Sequence, residues 1–75
     1  MHAWQHLAGK KLGPREKQVT AMLADGMRNK EIANLLGITE GTVKMYVARV
    51  FGKTGVDNRT ALAIWWLQKS EKKLA

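Results

Sequence analysis

From Leu12 onward the chain shows helical apolar spacing interrupted by short polar breaks. Val19, Met22 and Leu23 stand at i, i+3 and i+4, the spacing that lines one face of a helix. Pro14 suits the first helical position, where its missing N–H would have no intrahelical acceptor anyway. Glu16, two residues on, can reach back to the free donors of the first turn and favours the helix dipole. Gly13 takes the cap position without a side-chain acceptor, so this start is weaker than Ser or Thr would make it. Asp25-Gly26 ends the helix, with Gly26 as a left-handed cap. Asn29 is read as the cap of a second, short helix whose apolar side is Ile32, Ala33, Leu35 and Leu36. Gly37 closes it, Ile38 turns inward, and Thr39 caps a third helix.

The third helix carries the most specific pattern. At about 100° per residue, Val43, Val47 and Val50 share one face, with Tyr46 and Phe51 at its edges. The opposite face is Gly41, Met45, Ala48 and Gly52, with Lys44 on one flank and Thr42, Arg49 and Lys53 on the other. A solvated helix surface normally carries Glu, Lys and Gln; this one is small and apolar, framed by positive charge. Its β-branched valines make it a poor isolated helix, so packing must hold it. The second and third helices, joined by Gly37-Ile38-Thr39, form a helix-turn-helix with a small residue in the bend. Ala33 lets the two helices lie close. Gly55 ends the third helix, and Asp57 is placed to cap a fourth running about Asn58 to Gln68. There Ala61 to Leu67 is apolar all round; with Leu62 and Trp66 inward, Ile64, Trp65 and Gln68 fall on the other side. The expectation is an all-α, compact four-helix domain over 12–69, after a flexible leader or linker remnant (1–11) and before a fraying tail (70–75).

Composition narrows the function. The 75 residues suffice for one small domain with a thin core. Lys and Arg number 13 against 6 Asp and Glu, a net charge of +7. Such a balance points to a polyanionic partner, nucleic acid first and an anionic membrane second. The absence of cysteine excludes disulfide frameworks, Cys-type zinc fingers and Cys nucleophiles. No apolar run approaches the roughly 18 residues of a membrane span, and Met1 to His6 lacks a signal-peptide pattern. A cytoplasmic protein with no membrane partner is expected. Catalysis has no constellation to rest on: His2 and His6 sit in the leader, the single serine is Ser70 in the tail, and no Gly-rich phosphate loop follows a strand. No enzyme activity, metal or cofactor is expected.

Leu12, Pro14-Arg15-Glu16, Gly26, Asn29-Lys30-Glu31-Ile32-Ala33, Leu36-Gly37-Ile38, Thr42-Val43-Lys44, Lys53, Gly55-Val56 and Asn58-Arg59 follow one another without gaps. In this order they resemble the LuxR-type (GerE family) DNA-binding domain, the output module of NarL/FixJ-like bacterial response regulators and of quorum-sensing regulators. The resemblance covers Leu12 to about Gln68. It implies four helices, the third in the major groove and the fourth often at a dimer interface. It also implies a homodimer on double-stranded DNA, with RNA polymerase and a receiver or ligand-binding domain outside this chain as further partners. The chain departs from the family at three places: Gly13 replaces a Thr cap, Thr54 replaces Leu, and Met45 and Ala48 stand where polar base-readers are common.

These residues define a candidate interface. Affinity for DNA comes mainly from phosphates, and specificity from base edges and DNA shape. Lys44 can donate to guanine O6 and N7, while Met45 and Ala48 can touch thymine methyls and permit close approach. Lys30, Thr42, Tyr46, Arg49 and Lys53 flank the groove as phosphate contacts; where Tyr46 stands the family often has His, so a hydroxyl replaces a ring nitrogen. Free N–H groups after Thr39 can receive a phosphate, opposed by Glu40 in the same turn. Ile64, Trp65 and Gln68 are the candidate dimer contacts. Arg59 is read as pairing with Glu16, tying the fourth helix to the first. Two other readings compete: a sigma-factor region-four-like promoter reader, which shares the Pro-Arg-Glu start, and a helix-turn-helix module that binds protein instead of DNA through Met45, Ala48, Trp65 and Trp66.

Overall fold

The computed structural model describes residues 9–74, with side chains through 69. His2 and His6, and the side chain of Ser70, lie outside the described residues. Four helices follow in order: α1 (Pro14–Ala24), α2 (Asn29–Leu36), α3 (Glu40–Thr54) and α4 (Arg59–Leu74). α1 packs against both α3 and α4, and α2 lies across α3. Val19, Leu23, Ile32, Ala33, Val43, Val47, Val50 and Leu62 form one buried cluster, to which every helix contributes. The three valines of α3 are the centre of it, as their spacing predicts, so a helix of low intrinsic propensity is held by packing on α1 and α2.

The breaks between helices follow backbone chemistry. Gly37 (φ 69°) and Gly55 (φ 77°) are the left-handed caps of α2 and α3, a conformation that costs a side-chain-bearing residue about 1 kcal/mol or more. After Gly37, the Ile38 N–H donates to the Ala33 carbonyl at 3.0 Å. This closes α2 and swings the chain toward the Thr39 cap. Thr54, the residue at the family's Leu position, ends α3 with polar bonds: its hydroxyl donates to the Val50 carbonyl (2.9 Å) and accepts from the Val56 N–H (3.2 Å).

Several elements differ from their expected form. Leu35 is 65% exposed and not part of the apolar side of α2. That face is centred between Ile32 and Ala33; Leu36 falls inside it, and Leu35 stands about 100° away. Arg28, not Asn29, occupies the cap of α2, and Glu31 Oε1 accepts the Arg28 N–H at 2.8 Å. Asn58, not Asp57, caps α4, accepting the Ala61 N–H at 2.8 Å. Asp57 accepts from the Asn58 amide at 3.1 Å instead. α4 continues to Leu74, because the lysines and glutamate after Gln68 are good helix formers with no Gly or Pro to stop them. The end of the leader is tied down: the Gly9 N–H donates to the Lys53 carbonyl and the Lys53 ammonium to the Lys11 carbonyl, both at 3.1 Å. Among the described residues no helix is long and apolar enough to cross a membrane.

The inward face of α4 is also rotated from the expected one. Leu62 is fully buried and Trp65, three residues on, packs against the core cluster. Trp66 is half-buried at the side. Spacings of three and four both return to one helix face; contact with α1 selects the first, leaving Ile64 (51% exposed), Leu67 (52%) and Gln68 outward.

Candidate nucleic-acid interface

α3 presents the surface anticipated for it. Val43 and Val50 are completely buried and Val47 nearly so, so the opposite side must face outward. Gly41, Lys44 and Met45 are exposed; Ala48 and Gly52 are half-covered by neighbouring turns. The resulting ridge has no long side chain between Met45 and Gly52, and Lys44 stands beside it. At its N-terminal end Thr39 Oγ1 accepts the Thr42 N–H at 3.1 Å and lies 3.0 Å from Thr42 Oγ1. Two hydroxyls are thereby fixed at the positive end of the helix dipole, where an anion is favoured. Lys30 is exposed on the first turn of α2, the helix that precedes this turn. Tyr46 is half-buried against the core, as its edge position predicts.

Arg49 and Lys53 have a different environment from the rest. One turn apart on α3, both turn toward Glu16 on the first turn of α1. Lys53 Nζ lies 2.6 Å from Glu16 Oε1, and Arg49 Nε lies 3.2 Å from Oε2. The Lys53 side chain is only 10% exposed, whereas that of Arg49 keeps 38%. The Arg49 contact is an ion pair without hydrogen-bond alignment. Glu16 Oε1 also accepts the Gly13 N–H at 2.6 Å, so the carboxylate reaches back to the α1 start as its position predicts. Burial pushes the Glu16 carboxyl up. The Lys53 hydrogen bond, the Gly13 N–H and the charges of Lys53 and Arg49 outweigh it, holding the group below the usual carboxylate range.

This corrects the expected pairing of Arg59 with Glu16. The Arg59 guanidinium donates instead to Asn29 Oδ1 (2.9 Å) and to the Met27 carbonyl (2.7 Å), binding the start of α4 to the start of α2. It also turns the ammonium of Lys53 inward, toward Glu16 and Lys11 and away from the outer ridge. The buried Thr20 went unread in the sequence; its hydroxyl donates to the Glu16 carbonyl at 2.7 Å, an i−4 back-bond that lets a polar residue sit in the core. Among the described residues no group of three His, Asp or Glu side chains is arranged to hold a metal.

The sequence profile of the bacterial regulatory proteins of the luxR family matches residues 10–66. The two-component response regulator PprB of Pseudomonas aeruginosa is 46% identical over 54 residues, 72% of this chain and 20% of that protein. The transcriptional regulatory protein LnrK of Bacillus subtilis is 50% identical over 54 residues, 72% of this chain and 24% of that protein. The nitrate/nitrite response regulator protein NarL of Escherichia coli is 41% identical over 54 residues, again 72% of this chain and 25% of that protein. The chain thus spans about a quarter or less of the length of these relatives. No solved structure matches it. With four helices, a helix-turn-helix at their centre and a profile match over most of its length, the chain belongs to the luxR family of bacterial regulatory proteins, as a helix-turn-helix domain of the kind that binds DNA in transcription regulation.

Proposed function

We propose that the domain reads double-stranded DNA by laying α3 in the major groove, with a second copy bound on the adjoining half-site. The observation that carries this reading is the outer ridge of α3. A helix locked from behind by three buried valines shows Gly41, Met45, Ala48 and Gly52 outward, with an exposed Lys44 alongside. Small side chains let the helix backbone come close to the base edges. Lys44 donates to guanine; Met45 and Ala48 meet thymine methyls. Thr39 and Thr42 at the α3 start, Lys30 on α2 and Tyr46 beside the ridge take the phosphates. Arg49 keeps enough exposure to join them, whereas Lys53 acts through Glu16. With so few polar base contacts, much of the selectivity comes from the shape of the DNA. Of the two DNA-binding readings, the family match favours a response-regulator type of domain over a sigma-factor one.

Lys44→Ala is expected to weaken binding to a promoter containing the preferred site by about 1–3 kcal/mol and to flatten preference at one base position. The check is a salt series on promoter and random duplexes. The wild type should show a steep loss of affinity with salt on both, and the variant should lose its promoter advantage. Equal loss on both duplexes would make Lys44 a phosphate contact.

The second copy is held through α4. Ile64, Leu67 and Gln68 form its outward stripe, whereas Trp65 is half-buried at the core edge and supports that stripe from behind. Two-fold pairing sets half-sites about one helical turn apart. Ile64→Glu is expected to abolish cooperative binding to a two-half-site duplex while leaving the thermal melt unchanged; Trp65→Glu should lower the melt as well. Cooperativity that survives Ile64→Glu would place the dimer elsewhere. Acting in the bacterial nucleoid, such a dimer would meet RNA polymerase, and a receiver or ligand-binding domain would supply the input signal; that PprB and NarL are response regulators supports the receiver.

A further inference from the structure

The chain before α1, Lys17 of α1, the last turn of α3 and the middle of α4 line a cleft of about 410 Å³. Half-buried Leu12, Trp65 and Trp66 supply its apolar part. Around them stand Lys10, Lys11, Lys17 and Lys69, all exposed. Lys53 also reaches the cleft, but its ammonium is engaged by Glu16. The other four lysines take part in none of the ion pairs among the described residues, and no described carboxylate lines the cleft. The segment before Gly9 contains no Asp or Glu either. An anion entering the cleft would meet four ammonium groups around two indoles.

The chemistry of that anion is constrained by the cleft. Lys69 Nζ sits over the Trp65 ring, 4.5 Å from its centroid. That face already carries a cation, which leaves less indole surface for the successive base stacking that single-stranded nucleic acid uses, while one apolar side chain can still enter beside Trp66 and Leu12. Duplex phosphates are met by side chains projecting from a ridge, as on α3; a concave site floored by indoles gives a phosphodiester track little to bind. What fits is a chain with carboxylates and a bulky apolar side chain. The apolar group fills the cleft beside the tryptophans, and the carboxylates meet the lysines at the rim. We propose that this cleft is a docking site for an acidic peptide segment of a separate protein, anchored by an aromatic or aliphatic side chain against Trp65 and Trp66. The lysines steer the encounter and the indoles set its lifetime.

The test uses the chain of residues 1–75 and a labelled synthetic peptide, Glu-Asp-Glu-Phe-Asp-Glu-Leu-Asp, with a control in which every Glu and Asp is Gln or Asn. Anisotropy titrations are run on the wild type, on the Lys17→Glu/Lys69→Glu double variant and on Lys44→Ala, each confirmed folded by its thermal melt. The expected result is saturable binding of the acidic peptide, weaker by at least about tenfold in the double variant and unchanged in Lys44→Ala. The indole N–H signals of Trp65 and Trp66 should shift on titration, and the control peptide should not bind. The proposal is overturned by non-saturable binding, or by equal weakening in Lys44→Ala, which would mean that the peptide merely mimics DNA on the α3 ridge. It is also overturned if the double variant loses duplex affinity as steeply as peptide affinity, because the lysines would then be phosphate contacts.

Discussion

Glu16→Ala is expected to remove about 3 kcal/mol of stability, a large part of what so small a domain possesses. Three losses combine. The Lys53 ammonium, with a side chain only 10% exposed, is left without its carboxylate. The Gly13 N–H loses the acceptor that substitutes for a missing cap. Arg49 loses its ion-pair partner, a smaller term because its side chain is 38% exposed and water screens it. For a domain of this size the melting temperature should fall by about 15 °C. Glu16→Gln keeps an acceptor for Gly13 but no charge, and should fall between the variant and the wild type in urea unfolding.

The same carboxylate makes the stability depend on acid in a definite direction. The folded domain holds the Glu16 carboxyl below its ordinary value, so the unfolded chain binds the proton more readily. The stabilisation is complete above the unfolded carboxylate pKa of about 4.3 and is lost as pH falls through the lower folded value. The gap between wild type and Glu16→Gln should therefore be largest near neutral pH and shrink in acid. A Glu16→Gln variant as stable as the wild type at pH 7, with the same acid limb, would remove Glu16 from this role.

How much of this could be read from the chain depends on what decides each feature. The turns at Gly26, Gly37 and Gly55 were legible because left-handed backbone favours one residue type. The α3 core face was legible because Val43, Val47 and Val50 leave no competing assignment. α4 was not: with Ala61 to Leu67 apolar all round, Leu62 can share the core face with Trp65 or Trp66, and only the packing of α1 selects between them. The caps slipped by one residue in opposite directions. Asn29 and Asp57 are as good by type as Arg28 is poor and Asn58 is good; the entry path of the chain and the Arg59 bonds to Asn29 and Met27 decide the matter. Glu16 was read correctly toward Gly13, but its cationic partners lie 33 and 37 residues away in the sequence. Arg49 and Lys53, one turn apart, could have been recognised as a pair with a shared partner. That the partner would be Glu16 follows only from the crossing of α1 and α3.

Ala48→Glu is expected to be the most damaging single change to DNA binding, at least about 100-fold at moderate salt. Glutamate is a good helix former, and Ala48 lies on the side of α3 away from the buried valines. The fold should survive, and its thermal melt verifies that. On the proposed complex, however, the new carboxylate enters the groove between phosphate rows, where the neighbouring cation, Lys44 one turn away, is committed to a base, and such like-charge placement costs several kcal/mol. Ala48→Gln separates the contributions: it adds the same bulk without the charge, so it should weaken binding less and less steeply with falling salt. The contrast with Lys44→Ala is also diagnostic. Removing one donor relaxes a base preference, whereas Ala48→Glu should reduce affinity for every duplex, preferred or not. If Ala48→Glu binds duplexes as the wild type does, α3 does not lie in the groove. The ridge of Met45 and Ala48 would then be free to meet protein, the use that the competing reading gives it.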